Sequence, residues 1–420
     1  MTRSASQDEM NRADAQDSAL PLAGLPAVAC GAGYDLLDGF RVLDLTTSVA
    51  GPVASMLLAD FGAEVLKIER PGAGDDARAW GPPFLDGQSL WFMSVNRNKK
   101  SIALDHSTPE GMAALRELMA HCDVVLVNQS PRITRKLGLD VESVRAVRAD
   151  IVYVSITGFG MEGTRADLGC YDLIAEGYSG IMDLTGEAEC GPQKVGAPAA
   201  DMLAGQDAAM ATVAALLSRE RNGRGRVVDI ALVDSMTRFL ACRIVPYLGS
   251  GNVPARSGGT DSVIAIYQTF ATLDLPITLG LGIDSIWKRF WACVGEPGYG
   301  EAPRFATNAM RREHRAEIVE RIQALLLTRP RSEWLERLGE ARVPAGPINR
   351  VDEVAGDPEL QRRGLFYRLV DGAREIPQVG TGIRIDGEAN VPRGAPPRLG
   401  EHTREVLATL LGYDDESSAP

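Results

Sequence analysis

Histidine is scarce in this chain: four in 420 residues (His106, His121, His314 and His402), none in H-x-x-x-H spacing, so a histidine-based metal site is not expected. The six cysteines (Cys30, Cys122, Cys170, Cys190, Cys242 and Cys293) are scattered without a C-x-x-C pair. That argues against a zinc knuckle or a disulfide framework and fits a reducing, cytoplasmic compartment. A G-x-S-x-G elbow and a Walker P-loop are both missing. Gly72 with Gly74, and Gly280 with Gly282, follow predicted strands but open no G-x-G-x-x-G into a helix, which speaks against a dinucleotide oxidoreductase. No apolar run is long enough to span a bilayer. The short run ALPLAGLPAVAC follows a polar, acidic lead rather than the basic start of a signal peptide. A net charge of −12 makes nucleic acid an unfavourable partner.

What is present is ordinary globular composition, 45% hydrophobic and 24% charged, in a chain long enough for two domains or one domain with a large insertion. From Phe40 the pattern is regular. RVLDLTT, the helical VASMLLADFG and AEVLKIE form a β-α-β unit. SIALD, a helix from Thr108 to Cys122 opening on T-P-E, and DVVLVN form a second, and IVYVSITGF begins at Ile151. This alternation predicts an α/β fold with a parallel sheet covered on both faces. A long helix is expected over 201–223, ending at Gly223. Beyond it the texture changes to Gly- and Pro-rich turns, a strand pair near TFATLD and PITLGLG, and the aromatic helix DSIWKRFWACVG. The expected organisation is a mobile tail over 1–36, a large Rossmann-like domain over 37–231 and 343–413, and a smaller α+β domain over 232–342.

With the usual catalytic sets missing, carboxylates at element ends remain. Asp201 follows the loop GPQKVGAPAA and opens the long helix, where position alone favours a helix N-cap. The same position favours the ionised carboxylate through helix-end N–H groups and the dipole, and an ionised carboxylate can act as a nucleophile. Asp172, in GCYDLIAEGYSGIM, sits at another predicted helix start. Basic residues cluster at strand ends: Arg70 before PGAGDDAR, Asn96 to Lys100, and Arg132, Arg135 and Lys136 beyond DVVLVN. In an otherwise acidic chain they point to an anionic, phosphate-bearing ligand.

Taken in order, GFRVLDLTTSVAGPVASMLLADFGAEVLKIERPGAGDDAR, NRNKKSIALD, DVVLVN, GCYD, CGPQKVGAPAAD, NGRGRVVDIAL, VPAGPIN with RVDEV and DPELQRRG, and APPRLGEHTREVL resemble the class III coenzyme A transferases (the formyl-CoA transferase-like, CaiB/BaiF family) over about residues 38 to 413. The resemblance implies an interlocked, ring-like homodimer whose large domain is built from both chain ends. The substrates it implies are an acyl-CoA and a small carboxylic acid, with no tightly bound cofactor, metal or membrane partner. It places the catalytic aspartate on Asp201. Contacts to CoA fall on Ser48, Val49 and Ala50, on Arg70, on Leu104, Asp105, His106 and Ser107, on Asn128, Gln129 and Ser130, on Lys136, and on Gly169, Cys170, Tyr171 and Asp172.

The chain departs from the formyl-CoA transferases at Val49, where glutamine is frequent, at Lys136, which keeps the charge of an arginine without its bidentate fork, and in a short substrate loop, SGGTDS. Formate and oxalate are therefore poor substrate candidates. Two alternatives stand beside transfer. A 2-methylacyl-CoA racemase would need a proton-shuttling pair, yet no histidine lies between His121 and His314. The other alternative is a non-catalytic CoA-binding relative. Arg238, Arg243 and Arg256 are candidates to read a second carboxylate on a substrate.

Overall fold

The computed structural model describes residues 21–413, folded as two compact units. The first comprises the described residues up to Ser179, then Ala197–Phe239 and those from Ala355 on; the second comprises Gly180–Gly196 and Leu240–Val354.

The first unit is built on a six-stranded sheet whose members, in chain order, are Arg41–Asp44, Glu64–Glu69, Lys99–Ala103, Val124–Val127, Val152–Thr157 and Val227–Ala231. Every neighbouring pair is parallel, and the strands lie in the order third, second, first, fourth, fifth, sixth. The fourth and fifth strands are buried at every residue, as apolar strands covered on both faces must be. Side chains alternate between the faces. Leu43, Leu66, Ile102, Val125 and Tyr153 share a core with Leu115 and Leu118 of the Pro109–Ala120 helix and Val406 and Leu407 of the Thr403–Leu411 helix. Asp44 and Lys67 point the other way, toward the Ala50–Asp60 helix, whose Ser55 hydroxyl donates to Asp44 Oδ2 at 2.6 Å. The order reverses between the first and fourth strands, so the crevice beyond their carboxyl ends is where such a sheet takes a ligand.

The Ala199–Asn222 helix packs on the Ala50–Asp60 helix through small residues and ends at Gly223, which has a φ of 67°. The tightest point is Gly205: a Cβ there would lie 2.7 Å from Ala50 O and 2.8 Å from Val53 Cγ1. Gly→Ala inside a helix normally gains up to about 1 kcal/mol, but a backbone carbonyl cannot rotate out of the way. Overpacking should win, so Gly205→Ala is expected to lose about 1–3 kcal/mol in a chemical denaturation titration; an unchanged midpoint would contradict the contact.

Two sequence expectations need correction. The expected tail over 1–36 falls partly outside the described residues, but Ala27–Ala29 is a strand, parallel to Phe366–Asp371, which in turn pairs antiparallel with Arg374–Val379. An apolar, proline-bearing segment read as loose is thus secured by backbone hydrogen bonds from the distant end of the chain. The bounds 232–342 also shift. Leu232–Phe239 stays with the first unit, where the Ser235 hydroxyl donates to Asp207 of the long helix at 2.7 Å. Ala345–Pro347 belongs to the second unit, pairing antiparallel with Ile277–Gly280, which pairs with Tyr267–Phe270. The second unit's core gathers Trp287, Phe290, Trp291, Phe305 and Trp334.

Candidate active site

Asp201 lies in the first turn of the long helix and is not its cap. The N-cap is Pro198, which has no side-chain donor or acceptor to offer. The capping acceptor comes from another helix: Asp172, at the start of Asp172–Ser179, takes the N–H of Ala200 at 2.8 Å and of Asp201 itself at 3.3 Å on Oδ1. One carboxylate therefore satisfies two of the donors every helix start leaves open and fixes the backbone that carries the second carboxylate.

That arrangement reverses the electrostatic expectation from sequence. Burial, and then the charge of Asp172, push Asp201 up from 3.8 to about 7. The helix-end N–H groups that were expected to hold Asp201 ionised are spent on Asp172. Cys170 adjoins the pair. Its thiol is pushed up to about 11 by burial first and the Asp201 charge second, and it packs where a Cβ on Gly158 would meet its own Cβ at 2.1 Å. Only glycine fits at that contact. The loop beyond Gly158 is held by Asp229 of the sixth strand, whose Oδ2 accepts the Met161 N–H at 3.0 Å.

At the switch point the expected residues meet. Asn128 grips the first strand's following turn twice, donating to Thr47 O at 2.8 Å and accepting the Thr47 N–H at 3.2 Å. Gln129 donates to Leu45 O at 2.8 Å, and Ser130 is the N-cap of Pro131–Leu137. Ser48, Val49 and Ala50 lead from that turn into the Ala50–Asp60 helix, with Val49 as N-cap. Gly205 is one turn beyond Asp201 and touches Ala50, which places the helix that carries Asp201 against this turn.

Other expected contacts sit farther along the same sheet edge. Leu104, Asp105, His106 and Ser107 follow the third strand. Leu104 is fully buried, and Asp105 is occupied by Ser107, which donates from N–H at 3.0 Å and from Oγ at 2.5 Å. His106 has a buried Nδ1 without a protein partner. Arg70, after the second strand, pairs with Asp76 at 2.5 Å. Lys136 is exposed and makes no ion pair among the described residues, as do Gly169 and Tyr171 expose themselves, Tyr171 at 73%. Arg238, Arg243 and Arg256 are already paired with Asp207, Asp261 and Asp183.

A cavity of about 580 Å³ opens instead at the amino ends of the first three strands, lined by Arg41, Glu64, Lys100, Arg374 and Arg393 among others. Its charges are matched internally, as in Arg41–Glu64 at 2.7 Å, and it lies at the sheet edge opposite the switch-point crevice.

Sequence reasoning passed over Lys67 and Asp75, which form a fully buried ion pair at 2.9 Å beneath the Thr46–Ser48 turn. The available signal was a lysine at the centre of the apolar strand EVLKIE, where burial without a partner would be costly.

Residues 37–403 match the model of CoA-transferase family III. The chain is 39% identical over 381 residues to a succinate–glutarate CoA-transferase of Agrobacterium fabrum, covering 89% of this chain and 95% of that one. It is 36% identical to a succinyl-CoA:glutarate CoA-transferase of Mus musculus, covering 90% and 87%. A crystal structure of a CAIB/BAIF family protein from Brucella suis superposes with a TM-score of 0.79 at 38% identity, over 89% of this chain and 99% of that one. This chain belongs to CoA-transferase family III and is an enzyme of the CoA-transferase class. No helix among the described residues is long and apolar enough to cross a membrane.

Proposed function

We propose that the enzyme moves CoA from an acyl-CoA donor to a small carboxylic acid through covalent intermediates on Asp201. The observation that carries this reading is the pairing of Asp201 with Asp172: a half-buried carboxylate, anchored through its own N–H and, among the described residues, in no ion pair. Its oxygen attacks the thioester carbonyl, the C–S bond breaks, and CoA thiolate leaves a mixed anhydride. The thiolate attacks Asp201 Cγ and expels the donor acid, giving an aspartyl-CoA thioester. The acceptor carboxylate attacks Cγ and releases thiolate, which then takes the acceptor's acyl carbon and frees Asp201. Each step exchanges one carboxylate or thiolate for another, so backbone donors to the oxyanion suffice. The Ser48–Ala50 turn and the residues after the third, fourth and fifth strands would hold the CoA.

Two relatives named for succinate and glutarate support short dicarboxylic acids as the exchanged pair. The racemase reading gains nothing from the structure, since Asp201 is flanked by Asp172 and Cys170 rather than by a histidine. Apolar side chains left exposed on the helices that begin at Asp172 and Ala199, among them Ile174, Tyr178, Met210 and Leu217, support the ring-like homodimer, which sedimentation would test. A two-domain division completes the reading.

The deciding experiment incubates the protein with succinyl-CoA, glutaryl-CoA and a panel of other acyl-CoAs, then traps with hydroxylamine or borohydride and maps the mass change. A modification on Asp201 supports the covalent route. No adduct with any thioester, together with deuterium exchange at C2 of a methylacyl-CoA, would overturn it in favour of racemisation.

A further inference from the structure

Three carboxylates and three cations lie beneath the Thr46–Ser48 turn and pair off: Lys67 with Asp75 at 2.9 Å, Lys99 with Asp44 at 3.2 Å, and Arg78 with Glu69 at 2.7 Å. The first two pairs have no exposed side-chain surface. Buried pairs of this kind contribute little stability over apolar packing of the same shape, so their use has to be sought in what they hold. They hold the turn. Lys67 Nζ donates to Thr46 O at 2.9 Å, and Asp75 Oδ1 accepts the Ser48 N–H at 3.0 Å. Asp44 Oδ1 takes Thr46 through its N–H at 2.9 Å and its hydroxyl at 2.5 Å. Asp75 is itself fixed, its N–H donating to Glu69 Oε2 at 3.0 Å and its Oδ1 accepting the Ala77 N–H at 3.0 Å.

At the centre of the turn Ser48 has a φ of +73°, a left-handed conformation that a residue with a Cβ keeps only where its surroundings over-determine it. Three residues on, a Cβ at Gly51 would lie 2.2 Å from Thr46 Cβ, so the chain also has no slack there. Although burial opposes the charge on Lys67, the carboxylates of Asp44, Asp75 and Glu69 outweigh it and hold the ammonium above its ordinary range.

We propose that Lys67 and Asp75 are positioning residues that force Ser48 into the left-handed region and so present the Ser48–Ala50 backbone to the bound acyl-CoA. The inference rests on the reading above that this turn contacts the thioester substrate. Neither residue touches the substrate; both act through the turn.

Two variants separate the contacts. Lys67→Met removes the ammonium at near-constant length, and Asp75→Asn keeps the Oδ1 acceptor and the shape but loses the charge that holds Lys67. Each is expected to raise KM for succinyl-CoA about tenfold or more, with a smaller change in kcat, because misplaced binding groups are costly well beyond their own contacts. Ser48→Gly, which takes a positive φ without strain, is expected to restore the KM of Lys67→Met without restoring its Tm. Asp60→Asn is the comparison: it breaks an equally buried pair with Arg97, at 2.6 Å, and should lower Tm with KM unchanged. An unaltered KM in Asp75→Asn, or a Lys67→Met defect that Ser48→Gly leaves in place, overturns the proposal; should Lys67→Met fail to fold, Asp75→Asn decides alone. Asp201→Ala run in parallel tells the two readings apart. If it still transfers CoA, the assignment of the site fails, whereas an inactive Asp201→Ala beside an unaffected Asp75→Asn removes only the positioning role.

Discussion

Asp201→Asn is expected to lower kcat for CoA exchange by on the order of 10³-fold or more and at the same time to make the protein more stable. The loss follows from the proposed covalent route, since a neutral amide oxygen is a poor nucleophile toward a thioester; removal of an attacking group typically costs at least this much. The gain follows from linkage. Asp201 is raised from 3.8 to about 7 in the folded protein, so between those values the native state holds a proton that the unfolded chain has released. Stability from this group is therefore greatest below about pH 4, falls as pH rises, and carries its full penalty above about pH 7. Asn removes the penalty. Discounted for the partial exposure of the side chain, the gain is about 1–3 kcal/mol at pH 8 and vanishes at pH 4. Denaturation at the two pH values, beside a steady-state exchange assay, checks both halves. A variant as inactive as expected but destabilised at pH 8 would mean that the carboxylate makes a native contact that offsets its burial.

Both β-α-β units and the long helix could be read from the sequence because their signals are local: apolar runs of strand length, the T-P-E start at Thr108, and Gly223 as a stop. The structure agrees within two residues at Pro109–Ala120 and Ala199–Asn222. What escaped depends on contacts across the chain. Ala27–Ala29 becomes a strand only because Phe366–Asp371 supplies its partner, more than 300 residues away. Ala345–Pro347 joins the second unit for the same reason. The same limit applies to the site. That Asp201 carries a carboxylate at a helix start is visible in the sequence, but that Asp172 is the acceptor for that start is not, because the two are neighbours only once the helices are packed. The sign of the pKa shift depends on that packing, so the local rule for a helix N-terminus gave the wrong direction. Lys67 illustrates the converse: its polarity inside EVLKIE was plain, and only the geometry of Thr46 and Asp75 gives it a purpose.

The role of Asp172 divides into a charge and a cap, and two substitutions separate them. Asp172→Asn keeps an Oδ1 that can accept the N–H groups of Ala200 and Asp201 but loses the negative charge beside Asp201. Burial, the larger cause, remains, so the Asp201 carboxyl should stay elevated yet fall below about 7. On the proposed covalent route, exchange needs the anion. In the wild type, kcat/KM is therefore expected to decline as pH drops through about 7, and in Asp172→Asn that acid limb should move to lower pH, leaving the variant relatively faster at pH 6 than at pH 8. Asp172→Ala loses the charge and the acceptor together. The first turn of the long helix then has only Pro198 as N-cap, which costs about 1 kcal/mol of stability. It also frees the backbone of Asp201, for which a loss of about 10²-fold in kcat is expected from misalignment alone. The pH profile thus reads the charge and the drop in kcat reads the anchor. An acid limb that stays in place in Asp172→Asn would show that burial alone sets the ionisation of Asp201. Equal kcat in the Asn and Ala variants would show that the helix start holds Asp201 in place without help from the neighbouring carboxylate.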